Sequence, residues 1–143
     1  MKNLPYAFTH GDIISTNVMK DKNGKLWIID FAVSNYLPRI IDLAVSACNL
    51  CLNPEDKKET EEKTKMILEE YEKYNKLTDY EKDVFPLFFD IANAMGILQI
   101  SHLTKQGEAS EEDKFWYNES KKGLEYSDKE FWNDILGKEE IER

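Results

Sequence analysis

The chain has 143 residues, enough for one domain with its own core, and a formal charge of −9 at pH 7 with no basic stripe to meet a phosphate backbone. This balance argues against nucleic acid as a partner, and 41% hydrophobic with 12% aromatic residues excludes a disordered chain. The opening Met-Lys-Asn-Leu-Pro-Tyr lacks an apolar signal core, and no uncharged apolar run approaches membrane-spanning length. The expectation is a cytoplasmic protein with no membrane partner.

Tyr6 to Thr9 reads as a short strand that delivers His10-Gly11-Asp12 at its end. Residues 17–20 and 25–29 read as two strands around Asp21-Lys22-Asn23-Gly24, with Asn-Gly supplying the positive φ angles of a tight turn, which places Asn17 and Asp30 at the same open end. Pro38 to Leu52 then reads as a buried helix with a proline start and an apolar face containing Ile41, Val45 and Cys48. Cys48 and Cys51 have no second pair to complete a zinc site, and their apolar helical setting reads as structural thiols.

Asn53-Pro54-Glu55 ends that helix and caps the next, a charged outer helix from Glu55 to Asn75 with Glu59/Lys63, Glu61/Lys65 and Glu69/Lys73 pairs and a stripe of Ile67, Tyr71 and Tyr74. Thr78 and Glu81 have capping-box spacing and open a segment to about Thr104 that is apolar almost all round, a central core helix. Asp90 and Asn93 interrupt it and are candidate substrate-pocket residues, the alternative being local hydrogen bonding. Ser110 starts a helix with Phe115, Trp116 and Leu124; Ser127 and Glu130 cap a last one, and the tail Lys138 to Arg143 reads as frayed. His102, near a helix end, reads as a surface residue.

His10-Gly11-Asp12 followed by Asn17 reproduces the Asp-to-Asn spacing of a kinase catalytic loop, and Asp30-Phe31-Ala32 resembles the metal-binding Asp-Phe-Gly element. Phosphoryl transfer needs a carboxylate for the attacking hydroxyl and an amide plus a second carboxylate for magnesium, which is this set of side chains. Phe8-Thr9-His10-Gly11-Asp12, Asn17-Val18, Trp27-Ile28-Ile29-Asp30-Phe31 and Asp42-Leu43-Ala44 together resemble the successive motifs of the aminoglycoside phosphotransferase and choline kinase-like superfamily. Asn49-Leu50-Cys51, Leu77-Thr78, Glu81 and Pro86 look most like its bacterial homoserine kinases. Thr16 and Ala32 depart from the small residue and the glycine usual in those motifs.

The resemblance implies an α+β, mostly helical fold like the C-terminal lobe of a protein-kinase-like enzyme. It would be a single domain over residues 1–143, with the catalytic loop and metal-binding hairpin in 1–37 and a helical subdomain in 38–137. It implies Asp12 as catalytic base, Asn17 and Asp30 as ligands of magnesium and thereby of ATP, and His10 and Asp42 as supports. The acceptor would be a small-molecule hydroxyl, with homoserine-like amino alcohols, aminoglycosides and choline-like compounds all open. The family's ATP-binding N-terminal lobe, with its glycine-rich loop and strand lysine, is not in this sequence, so the expectation is a separate lobe polypeptide or self-association. The alternative is a non-catalytic remnant acting as a binding module.

Overall fold

A computed structural model describes residues 3–137. The fold is α+β. Strands β1 (Tyr6–Thr9), β2 (Val18–Lys20), β3 (Leu26–Ile28) and β4 (Asn35–Pro38) precede helices α1 (Ile40–Ser46), α2 (Lys57–Glu72), α3 (Asp79–Gln106), α4 (Glu111–Tyr126) and α5 (Lys129–Leu136). The strands form two antiparallel pairs, β1 with β4 and β2 with β3, so a strand-and-hairpin start does precede a helical remainder.

β4 is a strand that the sequence does not announce. Pro38 opens no helix; it ends β4 opposite Tyr6, and α1 begins at Ile40. A proline at a strand end sacrifices little of the ladder, and the partner strand lies too far back in the chain for a local pattern to reveal it. Between β2 and β3, Gly24 takes φ 84° while Asn23 does not enter the positive-φ region, so the turn is not the expected Asn-Gly one. Asp21 organises it instead, its carboxylate accepting from the backbone N–H of Lys25 and Asn23 and from the Trp27 indole. Those bonds hold the Asp21 carboxyl below the usual carboxylate value.

The helix expected to run to Leu52 is α1 followed by one wider π-type turn, Ala47–Cys51. Asp56, rather than the Asn53 to Glu55 segment, caps α2 by accepting from the Glu59 N–H. On α2 the Glu59–Lys63 pair forms, whereas Lys73 turns to Glu70 and Glu61 and Lys65 stay apart. Its buried side is Thr60, Thr64 and Leu68, with Ile67 and Tyr71 packed at the core margin; Tyr74 is 86% exposed. Asp128 caps α5, and the Ser127 hydroxyl accepts from the Trp132 indole instead. The tail from Lys138 lies outside the described residues.

The core gathers Ile40, Leu43, Ala44 and Ala47 against Phe85 and Phe89 of α3 and Phe131, Trp132 and Ile135 of α5. Trp132 meets Phe85 and Phe89 edge-on at centroid distances of 5.5 and 5.1 Å, the arrangement that ring quadrupoles prefer. Cys48 and Cys51 are buried, unpaired thiols in this region; burial pushes both up, Cys51 to about 11. α3 is central, yet it is not enclosed all round. Phe85, Phe89, Asn93 and Ile100 are buried, while Leu87, Ile91, Met95 and Leu98 lie in the open. By length and composition alone α3 would suffice to cross a membrane, but it packs along α1 and α4 through buried polar as well as apolar groups.

Two contacts set how α3 sits. At its start, Thr78 and Glu81 form the expected capping box. The fully buried Glu81 also takes a two-pronged ion pair from Arg39, Nε to Oε1 at 2.8 Å and Nη2 to Oε2 at 2.9 Å, and Arg39 reaches the Lys76 carbonyl as well. In mid-helix, α4 crosses at small residues. A Cβ on Gly123 would stand 2.6 Å from the Asn93 amide, and one on Gly96 would stand 2.8 Å from the Ser120 hydroxyl.

Burial pushes the Glu81 carboxyl up, but the Arg39 fork and the Thr78 bonds outweigh it and hold the group below its ordinary value of 4.5. A carboxyl lowered in the folded state contributes stability above its unfolded value and loses it as pH falls through the folded value. Arg39→Ala should therefore cost about 3 kcal/mol in urea unfolding at pH 7, because it strands a buried charge. The gap from the unsubstituted protein should shrink as pH falls through and below 4.5. A pH-independent gap would contradict the assignment.

Candidate active site

β1 ends in Thr9, whose hydroxyl donates to the Asn35 carbonyl of β4, and the chain then turns sharply through His10-Gly11-Asp12. Gly11 has φ 81°, and a Cβ there would lie 3.3 Å from the Val33 carbonyl oxygen, so both the turn and its packing call for glycine. The loop is held from below by Asp42 in the first turn of α1. One of its oxygens accepts the His10 N–H at 2.9 Å and the other the Gly11 N–H at 2.7 Å.

The His10 ring ties the loop to the end of the β2–β3 hairpin. Nδ1 accepts the Asp12 N–H at 3.2 Å, which leaves Nε2 to carry the hydrogen and donate to the Ile29 carbonyl at 2.8 Å. Phe31 stacks toward the same ring, centroids 4.6 Å apart. Asp30 lies between these two anchors. Its φ of 62° is a strained, left-handed conformation for a residue with a side chain, and its Oδ1 accepts the Ala32 N–H.

Asn17 is buried at the other end of the loop in a single 3-10 turn, Ser15–Asn17, and its backbone carbonyl takes the Ile29 N–H. Its Nδ2 donates to the Asp12 carbonyl at 2.9 Å and to Asp12 Oδ2 at 3.0 Å. Both partners are acceptors, which fixes the amide orientation and turns Oδ1 away from Asp12. Asp12, Asn17, Asp30, His10 and Asp42 thus form one hydrogen-bonded or directly adjacent set.

Gly11 and Asp12 stand at one end of a cleft of about 780 Å³ that runs between α1, α3 and α4. Asn93 lines it, but as a structural group: it is 2% exposed, donates to the Phe89 carbonyl and Cys48 Sγ, and packs on Gly123. Asp90 is not brought to Asp12 at all. It lines a second, smaller cleft of about 320 Å³ beside Ser127 and Trp132, where one of its oxygens is buried without a partner. Burial raises the Asp90 carboxyl, and the Ser127 hydroxyl offsets this only in part. Of the two candidate pocket residues, only Asn93 reaches the cleft that holds Asp12.

The sequence reading passed over the α4 wall of that cleft, which carries Glu112, Trp116 and Glu119. Their spacing of four and three residues is the signal that places them on one helical face, shared with Gly123. Glu119 is 7% exposed, and burial together with the like charge of Glu55 raises its carboxyl. The described residues contain no cluster of three or more His, Cys, Asp or Glu side chains able to hold a metal by themselves. Compared with known proteins, the chain matches no family model and no solved structure.

Removing the Asp42 acceptor should loosen the loop before the core. Asp42→Ala is expected to cost about 2 kcal/mol, the usual penalty for stranding backbone donors, with faster amide exchange at His10 and Gly11 than in α3. The raised Asp90 carboxyl gives the opposite pH signature. The folded state holds that proton more tightly than the unfolded chain, so its contribution is present below the unfolded value of 3.8 and is lost as pH rises through the folded one. Asp90→Asn should accordingly raise the melting temperature at pH 7 and leave it unchanged near pH 3.

Proposed function

We propose that this chain is the catalytic-loop lobe of an ATP- and magnesium-dependent phosphotransferase that acts on the hydroxyl of a small molecule. The observation that carries the reading is the pairing of Asn17 Nδ2 with Asp12 Oδ2, which leaves the other Asp12 oxygen for an incoming hydroxyl and Asn17 Oδ1 for a cation. Asp30 follows Ile29, whose backbone N–H is bonded to Asn17, so the exposed Asp30 carboxylate belongs to the same end of the hairpin.

The oxygen donors of Asn17 and Asp30 fit magnesium, which binds through one or two protein oxygens together with substrate phosphates. Bound there, the ion would neutralise phosphate charge during transfer. Asp12 would orient the acceptor hydroxyl and take its proton as the oxygen attacks the terminal phosphoryl group of ATP. His10 would keep the loop against the hairpin, and Asp42 would keep it against α1.

A nucleotide-covering lobe would have to be supplied by another polypeptide, a second copy or further chain. The open apolar side chains of Phe8, Phe31, Val33 and Tyr36 beside the site support such a covering element. The same surface supports a second reading, a non-catalytic binding module that meets a partner through this face. A cytoplasmic setting is part of the first reading, since ATP is its co-substrate.

Thermal unfolding with magnesium and ATP separates the two. The phosphotransferase reading expects a rise in melting temperature that needs both ligands and disappears in Asp30→Ala, and turnover in the complemented protein that falls at least about a hundredfold in Asp12→Ala. Turnover that survives Asp12→Ala would sink it.

A further inference from the structure

Glu119 is an unusual group to leave inside a cleft. It is 93% buried by its 7% exposure, and among the described residues neither a hydrogen-bond donor nor a cation reaches its carboxylate. Its charged neighbour is Glu55, which repels it. Its oxygens are nevertheless not sealed in protein, and the side chain lines the cleft that has Asp12 at its end. Burying a carboxylate without a partner is costly, so a partner arriving from the cleft would recover free energy that the fold itself leaves unspent.

The other groups of the wall describe that partner. Trp116, one turn before Glu119 on the same face, adds aromatic surface of the kind that favours cations, and its indole is turned toward Glu112 at 3.5 Å. Asp113 is committed to its capping box with Ser110. No lysine, arginine or histidine lines the cleft. The N-terminus of α4, where a ligand carboxylate would otherwise settle, already carries Glu111, Glu112 and Asp113. The acidic groups do not converge into a metal-holding cluster, which points to an organic cation.

We propose that the cleft takes an amino alcohol whose ammonium is selected by Glu119 and which bears no carboxylate of its own. The hydroxyl end of that ligand rests on the phosphotransferase reading, because it is Asp12 that would receive it; the ammonium end rests on Glu119 alone. A zwitterionic amino acid would bring its carboxylate among Asp12, Glu112, Asp113 and Glu119 with no counter-charge to meet it. The cleft therefore distinguishes an amino alcohol from the corresponding hydroxy amino acid.

Three probes of one skeleton test this on the full chain by calorimetric titration: 3-aminopropan-1-ol, homoserine (the same molecule with an added carboxylate) and 1,3-propanediol, which lacks the ammonium. The expected order is aminopropanol tightest, with homoserine and the diol each weaker by about tenfold or more. Glu119→Gln should weaken aminopropanol by a similar factor without lowering the melting temperature, since it removes a buried charge. Homoserine binding as tightly as aminopropanol, no saturable aminopropanol binding, or affinity unchanged in a folded Glu119→Gln protein would each overturn the proposal. The probe comparison needs no variant to fold. Loss of the magnesium-ATP response with ammonium selection intact would instead sink the phosphotransferase reading and leave Glu119 as a cation-selecting residue.

Discussion

The two N–H groups of His10 and Gly11, accepted side by side on the Asp42 carboxylate, are the contact on which the rest of the site depends. A sharp turn at the end of a strand leaves backbone donors without ladder partners, and such donors are costly to bury unanswered. Asp42 answers both from the first turn of α1, so the position of the loop is set by a helix anchored in the core through Ile40, Leu43 and Ala44. His10 carries the constraint onward. Its ring accepts from Asp12 and donates to Ile29, which places the hairpin end, and with it Asp30, relative to Asp12. The strain at Asp30 is thus held by neighbours that are themselves tied to the helical body.

How much of this could be read in the sequence follows the range of the interactions. β1, the β2–β3 pair and the capping boxes at Thr78 and Ser110 are specified within a few residues, and the structure places them where their local patterns point. The proximity of Asp12, Asn17 and Asp30 was legible for the same reason, because a short hairpin leaves its two ends few places to go. β4 was not legible, since its partner strand is far back in the chain and Pro38 is an ordinary helix-start signal. Nor was the Arg39–Glu81 pair, which links positions 42 residues apart.

α3 shows where a hydrophobic pattern says too little. Its apolar residues surround the helix, and a pattern of that kind suggests full enclosure. Enclosure depends on neighbours, however. α1 and α4 cover one side of α3, Ile91 and Met95 look into the cleft, and Leu87 and Leu98 face outward. Asp90 and Asn93, one turn apart within that helix, end in different clefts because residues three apart on a helix diverge in direction once neighbours pack between them. The carboxylate that does face Asp12 across the cleft comes from α4, where spacing alone gave no reason to prefer Glu119 over the other acids of a heavily charged helix.

Gly123 gives this arrangement its width. With no side chain there, α4 rests directly on the Asn93 amide, and the separation of the two helices is set by backbone against amide. The cleft walls that carry Ile91 and Met95 on one side and Trp116 and Glu119 on the other are extensions of the same two helices. The aperture is therefore gauged by an atom that is missing, and a single methyl at position 123 would act as a wedge, altering the size of molecule admitted without touching any residue that the molecule meets.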